Sequence, residues 1–144
     1  MAIRYYHTQR GTLTLAAMTV AAVVTASAAY FGPSSPARLP LFALTVGFVA
    51  LAWLFSSLTV EVNEREFRWY FGPGLWRYRL ALSDIETTQV VRNSLANGFG
   101  IRVRPGFRLY NVSGLDAVEL RLKSGDIRRI GSDDAQALAA ALKT

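Results

Sequence analysis

The sequence has no cysteine, a single histidine and, before Glu61, no acidic residue. The first absence excludes thiolate zinc sites, iron–sulfur clusters, disulfide scaffolds and cysteine nucleophiles. The second leaves only His7, which removes multi-histidine metal sites and histidine-based acid–base pairs or triads within one chain. Its place before the first apolar run marks it as a solvated residue of an N-terminal tail. The third absence divides the chain: residues 1 to 58 carry only Arg4, Arg10 and Arg38, whereas residues 59 to 144 carry 13 basic and 10 acidic side chains. With 51% apolar residues and a mean hydropathy of +0.22, the chain is too apolar to be disordered, and its 144 residues allow at most one ordinary soluble domain.

The apolar residues are concentrated in the acid-free part. Thr12 to Phe31 is uncharged over 20 residues, which at about 1.5 Å per residue matches the roughly 30 Å hydrocarbon thickness of a bilayer. A second uncharged run, Leu39 to Val60, has 22 residues and is richer in Leu, Phe and Val. Helices are expected over about 12–31 and 39–58. The breaker cluster Gly32, Pro33, Ser34, Ser35 and Pro36 can only reverse the chain between them, so residues 1–58 read as a tail and a transmembrane helical hairpin. Arg4 and Arg10 on one side, supported by Arg65 and Arg68 beyond the second run, outweigh Arg38 in the turn. Both termini are therefore expected in the cytoplasm, with the hairpin in an inner membrane. Arg4, Arg10 and the Ala26, Ser27, Ala28 pattern also resemble a cleavable secretory signal, but the apolar stretch exceeds the roughly 7–15 residues of a signal core.

Neither run holds an ionisable residue, so no proton relay, ion site or substrate pathway lies within the bilayer. Ala17, Ala21, Thr25 and Ala29 recur every four residues, as do Ala43 and Gly47, and such small side chains let helix backbones approach closely. They serve either packing within the hairpin or docking onto another membrane protein.

After the second run the pattern changes to strict alternation, the mark of strands with one buried face. Leu58, Val60 and Val62 alternate with polar residues, as do Phe67, Trp69 and Phe71, and then Trp76, Tyr78 and Leu80. The three aromatics Trp69, Trp76 and Tyr78 are accordingly expected in the core. Further strands are expected over 85–92, 101–104, 107–112, 118–123 and 127–131, separated by Gly, Pro and Asn turns, giving about seven short antiparallel strands. Ser132 followed by Asp133 and Asp134 opens a helix, with Ala135, Leu138, Ala139 and Leu142 on one apolar stripe. Such a helix is expected to close an open end of a bent sheet or partial barrel. The fold class is α+β.

Seven strands followed by one C-terminal helix is the pleckstrin-homology-like order. The stretches 98–114 and 117–134 resemble bacterial pleckstrin-homology domains, most specifically at Gly100, Ile101 and Arg102, at Tyr110 to Gly114, and at Ile130 to Asp134. The resemblance covers roughly residues 59 to 144, and such domains often follow two membrane helices. It implies a cytoplasmic domain with a binding role and transfers no catalytic or ligand residue.

Chemistry-bearing patterns are sparse. The acids are scattered, and neither Gly72-Pro-Gly74 nor Gly98-Phe-Gly100 extends to a nucleotide-binding loop. Asn111, Val112 and Ser113 match a glycosylation sequon that a cytoplasmic strand end would never present to the machinery. No cofactor, metal or small-molecule substrate is indicated, and the domain's net charge of +3 without RNA-module signatures argues against nucleic acid. What remains is basic: Arg77 and Arg79, then Arg102, Arg104 and Arg108 within a stretch, Thr87 to Leu115, that holds no acid. These arginines are either solvated strand faces or a cationic lip for an anionic lipid surface or a protein partner. The expected function is a non-catalytic membrane-anchored binding or scaffold module, with membrane lipids and a protein partner or further copies of the chain as its partners; the alternative is an accessory or assembly subunit of a larger membrane protein complex, docked through its hairpin.

Overall fold

The computed structural model describes residues 2–32 and 36–143, so Pro33, Ser34 and Ser35 of the expected reversal lie outside the described residues. The chain opens with a strand, β1 (Ile3–Arg10), which leads into the helix α1 (Thr12–Phe31) and then α2 (Arg38–Leu54). β2 (Ser57–Asn63), β3 (Glu66–Phe71) and β4 (Arg77–Ala81) follow, and with β1 they form a four-stranded antiparallel sheet in the order β1-β2-β3-β4. β5 (Ile85–Arg92), β6 (Gly100–Arg104), β7 (Phe107–Asn111), β8 (Asp116–Leu122) and β9 (Ile127–Gly131) form a second sheet, ordered β5-β8-β9-β7-β6. α3 (Ala135–Leu142) ends the fold.

The mixed α+β class with a C-terminal helix is as expected, but the strand plan differs from a seven-stranded antiparallel one. Among the described residues there are nine strands in two sheets, and β7 and β9 pair in parallel. Alternation specifies which face of a strand is buried but not its neighbour. The expected N-terminal tail is β1. Its inward positions are Tyr5, His7 and Gln9, which show no apolar alternation, and it is held by pairing with β2 from Arg10↔Ser57 to Ile3↔Asn63. The helical hairpin is thus an insertion between two paired strands.

The second apolar run also divides. α2 ends at Leu54 and the chain is extended again from Ser57, because Leu58, Val60 and Val62 are required as core residues of a strand flanked on both sides. α1 is long and apolar enough to cross a membrane; α2, with 17 residues, is apolar but shorter. The helices pack side by side, and Thr25 Oγ1 lies 2.8 Å from Thr45 Oγ1.

The core lies between the sheets. Leu58, Val60, Val62, Phe67, Trp69 and Phe71 meet Tyr110, Val112, Val118, Leu120 and Ile130. Trp69 stacks on Tyr78 at 5.6 Å and meets Tyr110 edge-on at 5.2 Å, an aromatic cluster bridging the two layers. α3 closes one side, packing on β5, β8 and β1 with Ala135, Leu138, Ala139 and Leu142 buried, the stripe read from the sequence. Ser132 acts just before the helix, its hydroxyl accepting the Asp134 N–H at 3.1 Å. Leu138 is fully buried, so Leu138→Ala is expected to destabilise the domain by about 2–5 kcal/mol, read as a lowered midpoint in a near-ultraviolet circular dichroism melt of the detergent-solubilised chain.

Candidate functional site

The hairpin joins the sheets through short, specific contacts. The Gly11 N–H donates to Ser56 O at 2.8 Å, and a Cβ on Gly11 would sit 2.5 Å from the Phe55 carbonyl oxygen. Thr14 Oγ1 donates to Val112 O at 2.6 Å, and Gln9 Nε2 to Ser113 O at 2.7 Å. At Gly72, with φ +45°, a Cβ would meet Leu54 O at 2.5 Å, so the β3–β4 loop lies directly against the end of α2. These contacts fix the direction in which the helices leave the sheets.

The small residues of the hairpin split into two sets. Ala21, Thr25 and Ala29 lie in the stripe that packs within the molecule, and Ala29 is buried. Ala17, Ala43 and Gly47 are exposed, and nothing comes within 4 Å of a Cβ built on Gly47. The packed positions on α2 are Leu41, Thr45, Phe48 and Ala52. Fourfold spacing in sequence identifies a stripe, but the rotation of each helix decides whether that stripe faces its neighbour. Ala17 instead lines an apolar groove of about 510 Å3 between the base of the helices and Phe99 with Gly100.

The expected arginines occupy three places. Arg77 and Arg79 lie on the outer face of the first sheet, in a groove of about 350 Å3 shared with Glu61, Arg68, Tyr70 and Tyr78. There the Arg77 guanidinium sits 4.9 Å over the Tyr70 ring, and Arg68 donates twice to Glu66, at 2.9 and 2.7 Å. On the β6–β7 hairpin the register pairs Arg102 with Leu109, Val103 with Arg108 and Arg104 with Phe107. Paired residues share a face, so Arg102 and Arg104 are on one side of the sheet and Arg108 is on the other. The two-residue Pro105–Gly106 turn pairs even-numbered residues with odd-numbered ones. By register Arg102 and Arg108 therefore face opposite sides, although Arg104 and Arg108 both line a groove of about 420 Å3 at the turn, with Asp126 and Arg128. Arg108 is close enough to Tyr78 for its charge to act on the phenol, although burial dominates and raises that group.

Two polar arrangements escaped the sequence reading. His7, expected in a solvated tail, is on β1 with Nε2 2.5 Å from Asp133 Oδ1, while Tyr5 donates to Asp134 Oδ2 at 3.3 Å. Burial, followed by the Asp134 carboxylate, pushes the Tyr5 phenol up to about 12. Secondly, Arg129 bonds to Glu119 through Nε and Nη2 and reaches Asn93 Oδ1 at 2.9 Å, with Gln89 also donating to Glu119 at 2.9 Å. The first joins residues at opposite ends of the chain, and the second brings Gln89 and Asn93 onto a pair formed across the β8–β9 hairpin; local spacing reveals neither set of distant partners. Trp76 is a further correction: it is 64% exposed, because β4 begins at Arg77 and the loop before it turns outward. The sequon asparagine, Asn111, is buried and donates to Gly114 O at 3.0 Å.

Among the described residues no group of three His, Cys, Asp or Glu side chains could hold a metal ion. The arrangement offers binding chemistry: cationic strand faces, an aromatic-backed arginine and apolar surface around the helix base. No protein-family model matches the chain, and no curated protein matches it.

Burial pushes the Glu119 carboxyl up, but hydrogen bonds from Arg129 and Gln89, with the charges of Arg129 and Arg121, outweigh it and hold the group below the ordinary carboxylate range. A depressed folded-state value stabilises above the unfolded value and loses that contribution as pH falls. Glu119→Gln is therefore expected to lower the melting midpoint at neutral pH and to flatten its decline below about pH 4.5, the ordinary value for this group; midpoints over a pH series provide the check.

Proposed function

We propose that the chain is a non-catalytic integral membrane protein, with α1 and α2 as a membrane hairpin and both termini in the cytoplasm. Its sheet domain is a pleckstrin-homology-like binding module for a protein segment or an anionic lipid surface. The observation that carries this reading is the seating of the hairpin in the sheets at Gly11, Thr14 and Gly72, which presents the domain at one height and orientation. Tethering of this kind makes individually weak contacts sufficient, because the second encounter takes place at high effective concentration. The sequence resemblance over residues 59 to 144 and the C-terminal closing helix support the domain assignment. Arg79, Arg104 and Arg108 have no acidic partner among the described residues, which leaves their charge for an anionic counterpart.

The exposed Ala17, Ala43 and Gly47 favour a second reading, an accessory subunit docked through the hairpin. Mild extraction of the full chain from native membranes followed by native mass analysis separates the two. The binding-module reading expects a co-extracted protein that is lost from an Arg79→Ala, Arg104→Ala, Arg108→Ala variant and kept by Gly47→Leu. The reverse pattern assigns the association to the hairpin, and a solitary chain throughout removes the protein limb of the proposal.

A further inference from the structure

The loops at the two ends of the sheets differ in chemistry. Those far from the hairpin carry charge: Glu64 and Arg65 after β2, Asp84 before β5, and Lys123 and Asp126 after β8. Two loops at the hairpin end have no acid and expose large apolar side chains. Leu75 and Trp76, between β3 and β4, are 61% and 64% exposed, and Leu95, between β5 and β6, is 77% exposed. The first loop rests on the last turn of α2 through Gly72, and the second brings Phe99 to the groove that Leu13, Thr14 and Ala17 of α1 also line.

Onto each loop folds an arginine of the strand that follows it. Arg77 Nε donates to Gly74 O at 3.4 Å, and Arg102 Nε donates to Asn97 O at 3.1 Å. A guanidinium has five N–H donors, so each retains donors for a phosphate. Arg10 adds a third cation at the same end, one residue before Gly11.

We propose that these two loops are lipid-docking tips: Leu75 with Trp76, and Leu95 with Phe99, enter the interfacial layer beside the hairpin, while Arg77, Arg102 and Arg10 engage lipid phosphates. This rests on the membrane-anchored reading above and commits its lipid limb to a place. The lipid surface is the occupant because the tips are continuous with the helix ends: a bilayer crossed by α1 brings its headgroup layer to Gly11, where the tips are. An amphipathic Trp and arginines at that level match the chemistry of the interface; neither loop carries an acid, and the Asp116 carboxylate beside the second is paired with Arg92 at 3.9 Å. The doubled construction clamps the domain on two sides of the hairpin base.

The absence of cysteine makes single labelling sites clean. Full-length chains labelled with a polarity-sensitive fluorophore at Pro73→Cys, Ala96→Cys, Ser124→Cys or Val23→Cys would be reconstituted in phosphatidylcholine vesicles with and without phosphatidylglycerol. The labels at 73 and 96 leave the apolar tip residues in place, and both positions are exposed. Expected are blue-shifted emission, quenching by brominated lipid and shielding from iodide at 73 and 96, with the opposite at 124. Leu75→Asp and Leu95→Asp in the labelled chains should return each tip to water, and Arg77→Ala with Arg102→Ala should reduce the shielding gained from phosphatidylglycerol. A label at 23 in lipid with 73 or 96 as iodide-accessible as 124 overturns the two-point docking alone. A label at 23 in water overturns the membrane-anchored reading and the docking with it. Shielding of the tips found only in native membranes, and not in lipid vesicles, assigns them to a protein and overturns the lipid occupant.

Discussion

The pairing of β1 with β2 across the inserted helices is the constraint on which the rest of the structure depends. Two antiparallel neighbours lie about 5 Å apart, so α1 must leave the sheet and α2 must return to it at almost the same point. The helices are thereby forced side by side. The backbone crowding that results is visible at Gly11 and Gly72, where carbonyl oxygens of residues 54 and 55 occupy the space a side chain would need. At Gly72 the positive φ makes glycine doubly suitable.

From that junction follows the placement of polar groups. Thr14 and Gln9 satisfy the carbonyls of Val112 and Ser113, which would otherwise be buried next to an apolar helix base at a cost of about 1–3 kcal/mol for each unmet group. Farther away, β1 is held from its other side by Tyr5 and His7 on the acids that precede α3. The first strand thus links the hairpin, the first sheet and the closing helix, and residues 59 to 144 without it would leave one edge of β2 unpaired. The core proper is apolar and aromatic, and the partly buried Glu119–Arg129 pair lies on the opposite face of the second sheet, with Gln89 and Asn93 completing its bonds.

The same geometry sorts the surface. Strands that start or end at the hairpin put their loops at the level of the helix ends, and the apolar loop residues are at that end. The cationic residues are divided by register between outer faces and the mouth between the sheets, so an anionic partner meets separate patches. A small-residue surface on the helices remains open at Gly47 and Ala43.

Much of this was legible in the sequence because it depends on local periodicity: the uncharged helix α1, the inward positions of β2 and β3, and the stripe Ala135, Leu138, Ala139 and Leu142 on α3. The acid-free stretch around Arg102 was likewise plain. Properties that depend on a partner distant in the chain were not. β1 has no apolar alternation of its own and exists because β2 pairs with it. The end of α2 is set by the need for Leu58 and Val60 in a central strand, and Trp76 points outward because its loop turns at the foot of α2. The division of Arg102 from Arg108 follows from a turn that sets register, and the inward or outward sense of Ala17 and Gly47 from helix rotation. Composition and spacing alone determined which segments are apolar and which faces alternate; only the tertiary structure decided which strands pair and what each face meets, because hydrogen-bond register and helix rotation are relations between segments and belong to none of them singly.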